Sequence, residues 1–334
     1  MEEKRSTKSD LELFTREITW DPTPTLSKFY SPIAFGAIGF GVALAANLYS
    51  RRPLISGIQS LVIGIIVIPQ ILKDFYTKPE ALNQGVPLFC FILTNVLALA
   101  VVVCISCILF GNTTLQVALR SHLLGSLLAT GLGTIVFGDQ AISSLGWYIC
   151  IMSGFHFSEY IVTSIIRPQT LSIDSFLLNH SKAYAIAAVA SWGEFFLEAW
   201  LIPSLKEMSF ITVTGVIICL AGEVIRKTAM LTAAHNFDHL IRTMREDHHE
   251  LVTTGIYSIW RHPSYVGWFY WSIGTQIILC NPFCFIAYLI ASWTFFNERV
   301  HEEERTLLHF FGDEYVDYQS EVPTGLPFIK GFLL

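Results

Sequence analysis

The chain has 334 residues, of which 52% are hydrophobic and 14% charged, and its formal net charge is -6. Soluble domains carry roughly 25% charged residues, so this composition excludes an ordinary water-soluble globule and indicates a polytopic membrane protein. The mild acidity carries no argument for nucleic acid as a partner, and the seven cysteines, all in or beside apolar runs, imply no disulfide framework.

The polar segment 1–28 lacks the short apolar core and small-residue cleavage site of a secretory signal, so the first apolar pass is expected to serve for insertion. Runs long enough to cross a bilayer as helices are expected at 29–49, 54–72, 87–110, 115–137, 141–166, 183–203 and 209–234. A last apolar block, 264–297, is too long for one span and is broken at Asn281-Pro282, so it reads as a helical hairpin. The expected fold is all-α, a polytopic integral membrane protein with eight or nine transmembrane helices. Three parts follow: the segment 1–28, N-terminal helices 29–137, and a core 141–334 holding a polar segment 235–263, the hairpin and a C-terminal tail. Arg242, Arg245 and Arg261 in the polar segment, with Arg299, Arg305 and Lys330 in the tail, put both on the cytosolic side by the positive-inside rule. Cys104 and Cys107 form a CxxC with no second pair nearby, so no metal site is expected.

Charged and ionisable residues fall in or beside the passes: Arg120, His122, His156, Glu159, Glu194, Glu198, Glu223, Arg226 and Lys227. Such residues face a bundle interior or a polar cavity, either as site residues or as buried pairs, because facing lipid costs several kcal/mol. Glu223 and Arg226, three apart, are expected to share a helix face and to be able to pair. No role follows for His156 or Glu159. After the hairpin, FFNERVHEEERTLLHFF continues as an amphipathic helix with Arg299 and Glu303 four apart on one face. Rossmann, P-loop, HExxH and GxSxG patterns are absent. Any cofactor site is therefore to be assembled from 235–265 and the exiting helix. The stretch RHPSYVGWFYWSIGTQ, 261–276, sets two cations and a proline at the mouth of an apolar run, where they are expected to hold something at the membrane surface.

The stretch HELVTTGIYSIWRHPSYVGWFYWSIGTQIILCNP, followed by NERVHEEERTLLHFFGDEYVDYQSEVPTGLPFIKG, resembles the C-terminal core of isoprenylcysteine carboxyl methyltransferases. FHFSEY at 155–160, SFLLNHS at 175–181 and RKTAM at 226–230 match the same family, so the resemblance covers 141–332. The passes before 110 resemble nothing sharply. The resemblance implies a multi-pass enzyme of the endoplasmic reticulum membrane with its active site facing the cytosol. It would move a methyl group from S-adenosylmethionine to the C-terminal α-carboxylate of a farnesylated or geranylgeranylated cysteine, giving a methyl ester. Its protein substrates would be processed CaaX proteins such as small GTPases; membrane lipid is a further partner, nucleic acid and metal are not.

That chemistry needs no general base, since a C-terminal carboxylate of pKa about 3.5 is already ionised at neutral pH. It needs alignment and a guanidinium clamp. The resemblance puts Arg226 and Arg299 near the reacting centre, as catalytic and substrate-binding residues, and Glu303 against the cofactor's ammonium. The cofactor wrap would comprise His249, Glu250, Leu251 and Val252 with His262, Pro263, Ser264 and Tyr265. Tyr257 would stack on the adenine and Arg242 would add a contact. Trp268, Phe269, Tyr270 and Trp271 are available to line a prenyl path or to form an interfacial belt. Two alternatives stand beside this reading: an NADPH-dependent sterol or steroid reductase sharing the RHPxYxG core, and a non-enzymatic lipid-binding or transport membrane protein. FHFSEY and SFLLNHS favour the methyltransferase.

Overall fold

The computed structural model describes residues 112–137, 139–178, 182–245 and 249–332, so the passes expected at 29–49, 54–72 and 87–110 lie outside the described residues. The helices are α1 Asn112–Phe137, α2 Gln140–Ile166, α3 Lys182–Leu201, the short α4 Pro203–Lys206, α5 Ser209–Ala233, α6 Pro263–Ile278, α7 Pro282–Phe311 and α8 Asp313–Glu321. No β-strand occurs among the described residues. Each apolar run expected between 115 and 234 forms one helix, with ends shifted by less than a turn, because continuous apolar sequence leaves the backbone no partner but itself. Among the described residues, two helical stretches, Gln140–Ile166 and Ser209–Asn236, are by length and composition alone apolar enough to cross a membrane.

The 264–297 block divides as expected, into α6 and α7. Both start with proline at the first helical position, where the missing N–H costs nothing. The chain reverses at Cys280, with φ 51°, and Asn281. α7 does not stop at the end of the apolar run: it continues without interruption through Phe311, so the membrane arm and the charged segment NERVHEEERTLL are one rigid element.

The helix ends at this turn are satisfied from α3 and α4. Glu194 accepts hydrogen bonds from the amides of Phe283 (2.8 Å) and Cys284 (2.6 Å), capping the N-terminus of α7 with a negative charge. Lys206 is fully buried; its ammonium donates to the carbonyls of Leu279 and Cys280 (2.9 Å each), to Asn281 Oδ1 (2.9 Å) and to Glu198 Oε2 (2.7 Å). A cation thus sits at the C-terminus of α6, the end that favours it.

α5 and α6 form the closest helix pair. A Cβ added at Gly222 would come 2.5 Å from the Gly267 carbonyl oxygen, and one at Gly267 would come 2.7 Å from the Arg226 amide nitrogen. Gly215 meets the backbone of Ile278 in the same way. Small residues at such a seam let backbones touch, which is how helices associate where the apolar solvent gives no hydrophobic drive. The opposite side of α5 is apolar and outward: Phe210 is 82% exposed and Val224 65%, the pattern of a lipid face.

FHFSEY and SFLLNHS clasp each other. His156 Nδ1 donates to the Phe176 carbonyl (2.9 Å), and Tyr160 stacks on Phe176 at 4.1 Å. The 3-10 turn Ile173–Phe176 that presents Phe176 is held by a Ser172/Ser175 capping box.

Candidate functional site

Residues 234–245 and 249–262, between α5 and α6, form an irregular strap with two 3-10 turns, and the strap faces the C-terminal half of α7 and α8. Between them lies one cavity. Of the residues expected to wrap a cofactor, Arg242, His249, Glu250, Leu251, Val252, Tyr257, His262, Ser264, Tyr265 and Glu303 all line it. Pro263 does not; it is buried as the first residue of α6. Asn236, Phe237, Asp238, Ile241, Phe310 and Tyr318 also belong to the wall. Asn236, Phe237, Phe310 and Tyr318 fall among the residues that carry the family resemblance, but no role followed for them from the sequence.

His262 is the centre of the cavity's electrostatics. Its Nε2 donates to Glu304 Oε1 at 3.0 Å, and its Nδ1 lies 3.5 Å from Glu303 Oε2. Its ring stacks on Tyr265 at 5.5 Å, almost parallel. Burial alone would depress the imidazole, but the pairings with Glu303 and Glu304 and their charges outweigh it and raise His262 from 6.5 to about 9. At neutral pH His262 is a cation. Burial likewise opposes ionisation of Glu303, yet the adjoining His262, then Tyr265 and Arg299, hold its carboxyl below the usual range. Glu303 Oε2 is buried without a full hydrogen bond among the described residues, so an anionic oxygen has accepting capacity left.

Arg261, beside it, does other work. It is 6% exposed, donates Nε to Glu304 (2.9 Å) and NH2 to the Lys330 carbonyl (2.9 Å), and uses NH1 on the carbonyls of Gln319 (3.2 Å) and Val322. Arg261 lines the cavity, yet it also anchors the tail: four of its five N–H donors go to a carboxylate and backbone carbonyls.

The two candidate arginines stand on different helices next to this cavity. Arg226, on α5, is 2% exposed and donates Nε and NH2 to the two oxygens of Glu159 on α2, at 2.6 and 3.0 Å. Its guanidinium also lies 4.6 Å from the Trp268 ring centre. Arg226 does not pair with Glu223, as its spacing allowed. It shares the buried α6 side of α5 with Gly222, whereas Glu223 accepts from Ser158 on α2 (2.5 Å) and pairs with Lys227 at 3.3 Å. Arg299, on α7, donates Nε to Tyr265 OH (3.3 Å) and NH2 to the His239 carbonyl (2.6 Å), leaving NH1 without a partner among the described residues.

Glu159 received no role from the sequence, yet it is the hub of the site's outer shell. Completely buried, it accepts from Arg226, from Lys227 and from His239 Nε2 at 2.9 Å. The four aromatics after Gly267 do not share a wall, since successive helical residues point about 100° apart. Trp271 is buried against Phe155 at 3.9 Å, Phe269 packs into the α6–α7 core, and Tyr270 is the outward one. Trp268 alone of the four faces Arg226.

The sequence model of the isoprenylcysteine carboxyl methyltransferase family matches residues 215–309. That of the NADH-ubiquinone oxidoreductase subunit b14.5b family matches residues 11–82, ahead of the described residues. A protein-S-isoprenylcysteine O-methyltransferase of Xenopus laevis is 55% identical over 217 residues, 65% of this chain and 75% of that protein. Its counterpart in Homo sapiens is 52% identical over 217 residues, 65% of this chain and 76% of that protein. A solved structure of the eukaryotic intramembrane Ras methyltransferase, an isoprenylcysteine carboxyl methyltransferase without a monobody, superposes with a TM-score of 0.77. It is 41% identical and covers 83% of this chain and 98% of that one. With an intramembrane neighbour at that identity, and helices with no strand among the described residues, the chain is an all-α membrane protein.

Proposed function

The chain belongs to the isoprenylcysteine carboxyl methyltransferase family, and from that premise we propose how its cavity works. The enzyme methylates the carboxylate of prenylated cysteine at the C-terminus of processed CaaX proteins. The methyl donor in this reading is S-adenosylmethionine and the protein substrates include small GTPases. The relatives described above are named methyltransferases, which supports the methyltransferase reading over the reductase and transport alternatives.

The observation that carries the site assignment is on one face of α7. Arg299 has NH1 without a partner among the described residues, Glu303 four residues on has a buried oxygen that meets His262 only at 3.5 Å and keeps accepting capacity, and Tyr265 joins them. A carboxylate with spare accepting capacity suits the ammonium of the cofactor's methionine end, so the donor set fits S-adenosylmethionine. When bound, that cofactor supplies a sulfonium-activated methyl group. Arg242, His249 to Val252, Tyr257 and His262 to Tyr265 would surround the rest of it, with Pro263 fixing the entry of α6 and protonated His262 holding Glu303 ionised.

Arg299 would take the acceptor carboxylate. Its guanidinium has a free donor, and its other two donors are already fixed, so little rotamer entropy is left to lose on binding. Arg226 contributes chiefly as a buried positive charge held flat on Trp268; its remaining NH1 reaches the Ser264 carbonyl at 3.4 Å. The acceptor is ionised before it arrives, so these residues orient it, strip its water and remove no proton. The strap with its arginines would face the cytosol from the endoplasmic reticulum membrane, and 141–334 would form the methyltransferase core, with α1 packed along α2.

The test is methyl transfer from labelled S-adenosylmethionine to N-acetyl-S-farnesylcysteine by detergent-purified protein, with N-acetylcysteine as control. Base-labile label on the farnesylated compound alone is expected. Label on both compounds, or on neither, would contradict the assignment.

A further inference from the structure

His239 links the two arginines: its ring meets Glu159, the partner of Arg226, and its carbonyl meets Arg299 itself. Its Nε2 donates to Glu159 Oε2 at 2.9 Å, and Glu159 holds Arg226 by both oxygens. Its carbonyl accepts from Arg299 NH2 at 2.6 Å. Its neighbours in the strap, Phe237, Asp238, Leu240 and Ile241, line the cavity. A continuous chain of charge-assisted contacts, Arg226 to Glu159 to His239 to Arg299, thus runs from α5 through α2 and the strap to α7. The strap has no regular ladder to hold it. From the 3-10 turn Ala234–Asn236 to residue 245 it is fastened by side chains: His239 on Glu159, Asp238 on Arg167 (2.7 Å), and Arg245 on the Phe310 carbonyl (2.6 Å).

We propose that His239 is a positioning residue that couples the two substrate sites: its ring on Glu159 and its carbonyl on Arg299 tie both arginines to the strap that walls the cofactor cavity, so that a ligand seated against the strap favours the same arrangement that sets both arginines for the acceptor carboxylate. This rests on the functional reading given above. Whichever ligand binds first stabilises that one arrangement for the second, and the coupling is reciprocal by thermodynamic necessity. An acceptor carboxylate on Arg299 therefore tightens cofactor binding as much as the cofactor tightens acceptor binding.

The experiment is a binding cycle on the purified full chain in detergent. S-adenosylhomocysteine affinity is measured by calorimetry with and without saturating N-acetyl-S-farnesylcysteine. The wild type is expected to bind S-adenosylhomocysteine about tenfold more tightly in the presence of the acceptor. In His239→Ala the ratio falls to about one, while S-adenosylhomocysteine alone binds within about threefold of wild type. His239→Gln, whose amide N–H can still donate to Glu159, retains the ratio, which loss of fold would not permit. Wild-type binding of both ligands without coupling, or a ratio unchanged in His239→Ala, overturns the proposal and leaves the functional reading standing. Absence of binding of either ligand by the wild type overturns that reading.

Discussion

The α6–α7 hairpin carries a buried ionic cluster at each end, and the two differ in how completely they are satisfied. At the turn, the Lys206 ammonium has three N–H groups and four oxygens around it, and Glu194 spends both its oxygens on helix amides. At the open end, Glu303 and Arg299 each retain an unused oxygen or N–H beside a cavity. Both clusters cost desolvation, and both are equally conspicuous as charges in an apolar chain. What separates a structural knot from a site is residual hydrogen-bonding capacity turned toward space. A saturated cluster can only hold the fold; an unsaturated one can hold a ligand.

That contrast can be broken at either end. Lys206→Ala should have the largest effect, because it leaves Glu198 and two helix carbonyls buried without their cation: a loss of about 3–5 kcal/mol in stability. It would be read as a lowered melting temperature in detergent, with methyl transfer per folded molecule unchanged. A variant that melts normally but fails in catalysis would place the turn in the mechanism and erase the distinction. Arg299→Ala should do the reverse. Initial rates should show kcat/KM falling about 100-fold to 1,000-fold, by analogy with loss of one preorganised donor, while the melting temperature holds. Glu303→Gln sharpens the comparison further: the KM for S-adenosylmethionine should rise about tenfold, the worth of one charge-assisted hydrogen bond, and that for the farnesylated acceptor should stay constant.

The gentlest probe is pH. His262 is raised in the folded protein to about 9, above the ordinary histidine value near 6.5. Its stabilising contribution is therefore fully present below about 6.5 and is lost as pH rises through about 9, as protons leave the folded state. Melting curves across that window should show a decline that His262→Asn removes. The carboxyls of Glu303 and Glu304 are depressed, so their contribution is present above the usual carboxylate range and fails only on acidification.

Much of this was legible in the residues before the coordinates. Hydropathy placed the helices from 115 onward because a spanning helix must be a continuous apolar run, and Asn281-Pro282 marked the hairpin because proline cannot sit mid-helix. The polar segment and the exiting helix were separately visible, and the structure brings them around one cavity. The hub was not legible. Glu159 lies 67 residues from Arg226 and 80 from His239, and nothing in local spacing links them. Local spacing misled for Glu223 and Arg226: three residues apart on one helix, they turn to different neighbours because Gly222 and Gly267 draw Arg226 onto α6. Arg261 misled for a related reason. A cation at the mouth of an apolar run reads as exposed, and only the returning tail, 322–332, shows that it is covered.

The backbone contact of α5 with α6 also decides what can move past the site. Two helices meeting glycine to glycine, at separations where even a methyl group would collide, form a plank without a seam wide enough for an isoprenoid. α7 packs on α6 rather than on α5, so the plank is walled on one side. In the reading proposed above, a prenyl tail would travel along this plank and not through it. A variant that forced Gly222 or Gly267 apart would disturb delivery and clamp together, because Gly267 lies against the backbone of Arg226.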